Sequence, residues 1–339
     1  MRVSQRLVAL AVVLSSTSVF ADTVSINGAG ATFPAPLYTK WFSEYRQADP
    51  SVEINYQPIG SGGGIRQLTD KTVDFGASDA PMTDEQLTKV SPAVIHIPTV
   101  LGAVVLTYNL PEVKKPLQLS GEVIADLFLG KINKWNDAAI AKLNPGVQLP
   151  ATDILVAHRS DGSGTTAVFS DYLSKVSPEW KQKVGTGPAL NWPTGLGGKG
   201  NDGVTNTVKQ TPGAIGYIEL TYAETNKLPY ASLKNKAGKF VVPSPATVSN
   251  AAAGALKDMP KDFRVSITDA AGKDAYPISA FTYLLVYQKM DAKKGQKLVK
   301  FLDWALKAGQ KDAEPLHYAP LPKQMVSKVQ ARVKDIHID

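Results

Sequence analysis

The apolar positions of this chain fall into short runs, some alternating with polar residues and some continuous, separated by stretches with a helical period. That pattern predicts an α/β architecture of strand, loop and helix units. Three units stand out. In the first, Val24 to Ile26 lead into Gly28-Ala29-Gly30-Ala31-Thr32-Phe33-Pro34, and the helix that follows repeats Tyr38, Trp41, Phe42 and Tyr45 at i, i+3, i+4 and i+7. Pro34 and Pro36 suit its first turn, where no amide donor is missed. In the second, Val52, Ile54 and Tyr56 alternate as a strand before Gly60-Ser61-Gly62-Gly63-Gly64 opens a helix through Ile65 and Leu68. In the third, the continuous run Ile154 to Ala157 predicts a buried strand. It gives way to Arg159-Ser160-Asp161-Gly162-Ser163-Gly164-Thr165 and a helix carrying Phe169, Tyr172, Leu173 and Val176 on one side.

Between the second and third units, Val73 to Ala77 reads as a strand ending in Ser78-Asp79-Ala80-Pro81, which puts Asp79 at a strand's carboxyl end. Thr83-Asp84-Glu85-Gln86 is a capping box for the next helix. The runs Val100 to Tyr108 and Ile278 to Tyr287 each suit a long buried strand. Far apart in sequence, they are the expected hinge crossings between two parts of the molecule. The final helices, with the apolar stripe Leu298, Phe301, Leu302 and Ala305, are expected to return onto the first part. Lys293, Lys294, Lys297 and Lys300 would form their wet side. No internal repeat or low-complexity tract interrupts this plan.

The chain opens with a basic head at Arg2 and Arg6, an apolar run from Leu7 to Leu14, and the small residues Val19 and Ala21 at cleavage positions, which predicts a signal peptide over 1–21. The apolar run is shorter than the roughly 20 residues needed to cross a bilayer, and no later run is long enough either. A periplasmic protein, soluble after cleavage, is the expectation. There is no cysteine to carry a lipid or form a disulfide. The 318 residues from Asp22 onward, however, suffice for two domains and a core that is stable without cross-links. Net charge is +7 for the whole chain and +5 once Arg2 and Arg6 are removed, a mild excess that fits a lysine-rich surface and leaves no nucleic-acid partner in view.

The chemistry concentrates in the three loops, each joining small residues and hydroxyls to a helix start, where unpaired N–H groups carry partial positive charge and attract anions. Any one of them alone also reads as a cap or tight turn. Their joint occurrence with Arg159 and Asp79 points to an oxyanion. Arg159 offers a formal charge and two parallel donors, and Asp161 is placed to pair with it. Asp79 would repel an anion unless the ligand brings a proton to donate, as phosphate does at neutral pH and sulfate does not.

Catalytic and metal-binding patterns are weak. His96, His158, His317 and His337 are scattered without ligand spacing, so no metal is expected, and no cofactor motif is present. Ser163 lacks the upstream glycine of a nucleophile elbow and a placed histidine, although a secreted phosphatase or esterase using it stands as the rival reading. A receptor for another oxyanion, or an extracellular scavenger without a transporter, are two more. The segment Gly197 to Gly203 departs from P-loop spacing and reads as a structural loop.

Six motifs occur in order along the chain: GAGATFPAPLYTKW, GSGGGIRQLTDKTVDFGASDAPMTDEQL, LGKINKWNDAAIAKLNPG, RSDGSGTTAVFSDYL, NWPTGLGGKGNDGV and TPGAIGYIE. Over essentially the whole mature chain the sequence resembles the periplasmic phosphate-binding proteins of phosphate ABC transporters. The resemblance implies a two-lobed type II periplasmic-binding-protein fold with two crossing hinge strands and the ligand in the interlobe cleft. Lobe I would comprise 22–100 and 277–339, and lobe II 101–276. It also implies a non-enzymatic monomer that takes inorganic phosphate to an inner-membrane permease. Motif by motif, Thr32, Phe33, Ser61, Asp79, Arg159, Ser163, Gly164 and Thr165 would bind phosphate, with Asp161 orienting Arg159. Gly62 stands where relatives often carry a second serine, so only its backbone could help, and His158 stands where some carry an arginine.

Overall fold

The computed structural model describes residues 23–339, so the expected signal peptide lies outside the described residues. Eight strands share one mixed sheet: β1 (Val24–Gly30), β2 (Val52–Gln57), β3 (Phe75–Ser78), β4 (Val94–Tyr108), β6 (Leu155–Arg159), β7 (Leu196–Gly198), β8 (Ala214–Glu219) and β11 (Ser279–Tyr287). Their order is β2-β1-β3-β11-β4-β8-β6-β7. A smaller sheet, β10-β9-β5, joins β5 (Gln118–Leu119), β9 (Ser232–Lys234) and β10 (Phe240–Val241), and β12 (Lys289–Met290) pairs with β13 (His337–Ile338). No helix among the described residues is long and apolar enough to cross a membrane.

β4 organises the molecule. All fifteen of its residues are buried, which is why its sequence is apolar without alternation. Val94 to Ala103 run antiparallel to β11, and Val104 to Tyr108 run antiparallel to β8. The sheet therefore changes partners within one strand, with β1, β2, β3 and β11 on one side of the change and β6, β7 and β8 on the other.

β4 begins six residues before the expected Val100, because the three residues that interrupt the apolar run are accommodated; the Thr99 hydroxyl, for one, is 2.7 Å from that of Tyr38. His96 is buried, and its Nε2 accepts the Met82 N–H at 2.9 Å. Burial and the nearby Arg264 and Arg332 charges lower its pKa to about 4, so it packs as a neutral ring. Pro98 lies opposite Tyr283, where the β11 ladder slips register between Thr282 and Tyr283. A bulge at that point tolerates the missing amide donor.

β1 likewise runs four residues beyond Ile26, since Gly28 to Gly30 pair with Phe75 to Ala77 of β3. The helix Ala35–Ala48 buries Tyr38, Trp41, Phe42 and Tyr45, with Pro34 at its N-cap, and the capping box of Thr83 and Gln86 is formed. The helix Ala292–Ala305 buries Leu298, Phe301, Leu302 and Ala305. Phe301 meets Phe42 and Tyr45 with ring centroids 5.3 Å from each, which returns the C-terminal chain to the side of β1. Its lysines are not simply a wet face. Lys293 and Lys300 are exposed, whereas Lys294 pairs with Asp74 and Lys297 with Asp49, both at 2.9 Å.

Candidate anion-binding site

β1 pairs in parallel with β2 and β3, and β6 in parallel with β7 and β8, so each set directs the loops after its strands to one end. Ligands of open α/β sheets bind at such ends. All the sequence-predicted residues lie in these loops or at the helix starts they feed. Thr32 and Phe33 follow β1. Ser61 opens the helix Ser61–Thr69. Asp79 follows β3, Arg159 ends β6, Asp161 lies in the loop beyond, and Ser163 caps the helix Gly164–Val176. Thr32, Phe33, Ser61, Asp79, Arg159, Ser163 and Thr165 are all buried.

The two sets of loops touch. The Gly62 N–H donates to the Gly162 carbonyl at 2.8 Å. A Cβ on Gly62 would lie 3.1 Å from the Gly162 Cα, so the residue serves as a close backbone contact between the two halves rather than as a donor to a ligand. Gly164 is more tightly constrained. A Cβ there would sit 2.4 Å from Ser61 Oγ and 2.6 Å from Asp79 Oδ2, so only glycine lets this helix start approach them.

Arg159 is held as a fork. Its Nε donates to Asp161 Oδ1 at 2.7 Å and Nη2 to Asp161 Oδ2 at 2.6 Å, while Nη1 reaches Thr165 Oγ1 at 3.3 Å. Asp161 Oδ1 also accepts the Gly200 N–H at 3.0 Å. Burial by itself would raise the Asp161 pKa. The Arg159 hydrogen bonds, its charge and the Gly200 N–H outweigh burial and lower it.

Asp79 is placed differently. Its Oδ1 accepts from the Thr282 hydroxyl at 2.9 Å, its backbone N–H points to Ser61 Oγ at 3.4 Å, and Oδ2 faces the start of the Gly164–Val176 helix. Burial pushes its pKa up to about 7. The Thr282 hydrogen bond, the Arg159 charge and Thr165 pull it down, and the Asp161 charge pushes it up.

Around this carboxyl, among the described residues, the N–H groups of Phe33, Ser61, Gly164 and Thr165 donate to no protein acceptor. The peptide that carries the Phe33 N–H is fixed from its other side, where the Thr32 carbonyl accepts the Tyr222 hydroxyl at 2.5 Å. Ser163 Oγ accepts the Thr166 N–H at 3.0 Å, a helix cap, which leaves its hydrogen to donate. His158 stacks on Trp192 at 4.7 Å, and its Nδ1 lies 3.1 Å from the Arg159 carbonyl oxygen. Burial lowers its pKa. It is thus committed to the packing of Trp192 rather than to Ser163. Among the described residues no group of three or more His, Asp or Glu is placed to hold a metal ion.

Two residues of the site escaped the sequence reading. Asn201 comes from the segment read as a structural loop. It bonds Thr32 Oγ1 through Nδ2 at 2.7 Å and through its backbone N–H at 3.2 Å, and it reaches Thr165 Oγ1 at 3.3 Å. A hint was present, since Gly197 to Gly203 is another glycine-rich entry to a helix. Thr282 sits inside an apolar run, and the antiparallel register of β11 on β3, with Tyr283 opposite Ser78, brings its hydroxyl to Asp79.

Residues 17–308 match the model of the PBP superfamily domain. The phosphate-binding protein PstS of Xylella fastidiosa (strain Temecula1) is 49% identical over 311 residues, 91% of this chain and 85% of that one. The chain belongs to the PstS family. PstS of Pasteurella multocida is 46% identical over 98% of this chain and 96% of its own length. A solved structure, the high-affinity periplasmic phosphate-binding protein PfluDING bound with phosphate, superposes with a TM-score of 0.72 at 22% identity, over 91% of this chain and 93% of that one. At that identity the likeness is one of fold, and the fold is the two-lobed one expected from the sequence.

Proposed function

We propose that this PstS-family chain is a periplasmic receptor that captures inorganic phosphate by hinge closure and delivers it, as a monomer, to the inner-membrane permease of an ABC transporter. The two lobes are 22–100 with 277–339, and 101–276. Thr32, Phe33, Ser61, Ser163, Gly164 and Thr165 donate hydrogen bonds through hydroxyls or backbone N–H groups, and Arg159 supplies the charge. Asp161 holds Arg159 from behind, and the Gly62 backbone seals the contact between lobes. Asp79 accepts the proton that the ligand brings.

The observation that carries this reading is the Asp79 carboxyl, with one oxygen taken by Thr282 and the other facing donors without protein partners. A ring of donors attracts an oxyanion, and a carboxylate within it favours a protonated one. Because the donors are divided between lobes, ligand contacts stabilise the closed form differentially. The capping role of Ser163 and the stacking of His158 support binding without catalysis.

The test is calorimetry on mature protein stripped of carried-over ligand. At pH 8 phosphate is expected to bind about tenfold more tightly than sulfate, which must first protonate Asp79. Equal affinities, or turnover of a phosphomonoester that disappears in Ser163→Ala, would overturn the reading.

A further inference from the structure

A hydroxyl beside an anion helps in only one of its two senses, because its hydrogen attracts the ligand and its lone pairs repel it. Thr32 and Thr165 offer one hydroxyl from each side of the site, and nothing in a threonine itself chooses the sense. Asn201 does. Its amide oxygen accepts the Glu219 backbone N–H at 2.8 Å, which fixes the Nδ2 group toward the two threonines. Thr32 Oγ1 then accepts from Asn201 Nδ2 at 2.7 Å and from the Asn201 N–H at 3.2 Å, so both of its lone-pair positions are filled. Thr165 Oγ1 accepts from Asn201 Nδ2 and from Arg159 Nη1, each at 3.3 Å, and is filled in the same way. Each hydroxyl can now present only its hydrogen.

We infer that Asn201 is a specificity-determining positioning residue: wholly buried, it bridges the two lobes and forces the Thr32 and Thr165 hydroxyls to act as donors, which commits the cage to oxyanions. The geometry explains why the segment around it is built as it is. The Gly200 N–H ties the same turn to Asp161 and hence to Arg159, so one helix start aligns a charge and two hydroxyls. The bridge also spans the lobes, so it forms only when they are together. This inference rests on the phosphate reading solely for the choice of ligand.

A double-mutant cycle tests it. Phosphate affinity is measured by calorimetry for wild type, Asn201→Ala, Thr32→Val and the double variant, with melting temperatures recorded alongside. Asn201→Ala is expected to lose about tenfold to thirtyfold in affinity in the wild-type background, the worth of two neutral hydrogen bonds. In the Thr32→Val background the further loss is expected to shrink to about threefold to fivefold, the part that acts through Thr165, because one of the two hydroxyls Asn201 orients is gone. A residue that merely braces the fold would cost the same in both backgrounds, and that result overturns the inference. Asn201→Asp provides a second arm that keeps the shape and the acceptor for Glu219. Its carboxylate would draw the threonine hydrogens away from the ligand, so affinity should fall further than with alanine, and wild-type affinity in this variant also overturns it. Should wild type bind a different tetrahedral anion and not phosphate, the proposed function fails while the same cycle, run with that anion, still decides the role of Asn201. Binding of no such anion removes both.

Discussion

Asp79 and Asp161 belong to the same site and are both largely withdrawn from water, yet their surroundings push them in opposite directions. Asp161 receives two parallel N–H bonds from Arg159 and a third from Gly200, and its pKa is lowered. Burial pushes Asp79 up to about 7, against which it receives only neutral hydroxyls, from Thr282 and to a lesser degree Thr165. Burial alone thus does not decide ionisation. The deciding quantity is the number and charge of the donors supplied against burial. The strongest donor of the site is committed to Asp161, which leaves Asp79 short of one hydrogen. In the proposed function a ligand carrying a proton provides it. Near neutral pH the unliganded Asp79 is itself partly protonated, so the physical requirement is that one proton lie between carboxyl and ligand, whichever of them brings it.

The largest break in this contrast is expected from Arg159→Met. It removes the charge from the site and strands Asp161, so phosphate affinity should fall by about a thousandfold or more. Stability should drop by roughly 3–5 kcal/mol, as when one partner of a buried pair is deleted. Calorimetry and denaturant melts read the two effects, and near-wild-type binding would mean that the fork to Asp161 is unimportant.

Next comes Asp79→Asn, which replaces the proton acceptor by a group that can donate. The preference for phosphate over sulfate at pH 8 should shrink by about tenfold. An unchanged ratio would break the argument from Asp79.

Acidity separates the two carboxyls without mutating the site. Sulfate needs a protonated Asp79, so its affinity should fall by about tenfold per pH unit above pH 7 and level off below about pH 6. In stability the signs are opposite. Folded Asp79 keeps a proton that the unfolded chain releases near pH 4, so its stabilising contribution is present below that pH and lost as pH rises to about 7. Asp161 contributes stability above the ordinary carboxylate range, and this is lost on acidification. Denaturant melts of ligand-free Asp79→Asn and Asp161→Asn across pH 3–8 should therefore remove opposite slopes.

The smallest effect is expected from Thr282→Val, which takes away the one hydroxyl on Asp79 Oδ1. Phosphate affinity should weaken by less than about tenfold, and the pH midpoint for sulfate binding should move upward. A downward shift would contradict the assigned direction of that hydrogen bond.

The same contrast marks how far the sequence could be read. The Tyr38, Trp41, Phe42 and Tyr45 stripe, the capping box at Thr83 and the apolar helix face from Leu298 to Ala305 were all legible, because side-chain periodicity is a local property. The proximity of the candidate site residues was legible for a related reason: each sits where a strand ends or a helix begins, and such ends leave donors unpaired wherever they occur. The pairing of Arg159 with Asp161, two residues away, was also within reach.

What the sequence by itself determined, then, is an α/β chain of strand-loop-helix units with donor-rich loops and one carboxyl among them. Only the tertiary structure decided that Thr282, 203 residues beyond Asp79, supplies a hydroxyl to it, and that Asn201, 169 residues beyond Thr32, bonds the Thr32 hydroxyl. It also brought Gly62 against Gly162 and turned His158 onto Trp192. Hydrogen bonds act over about 3 Å, and no local pattern records which distant segments the fold will bring within that range.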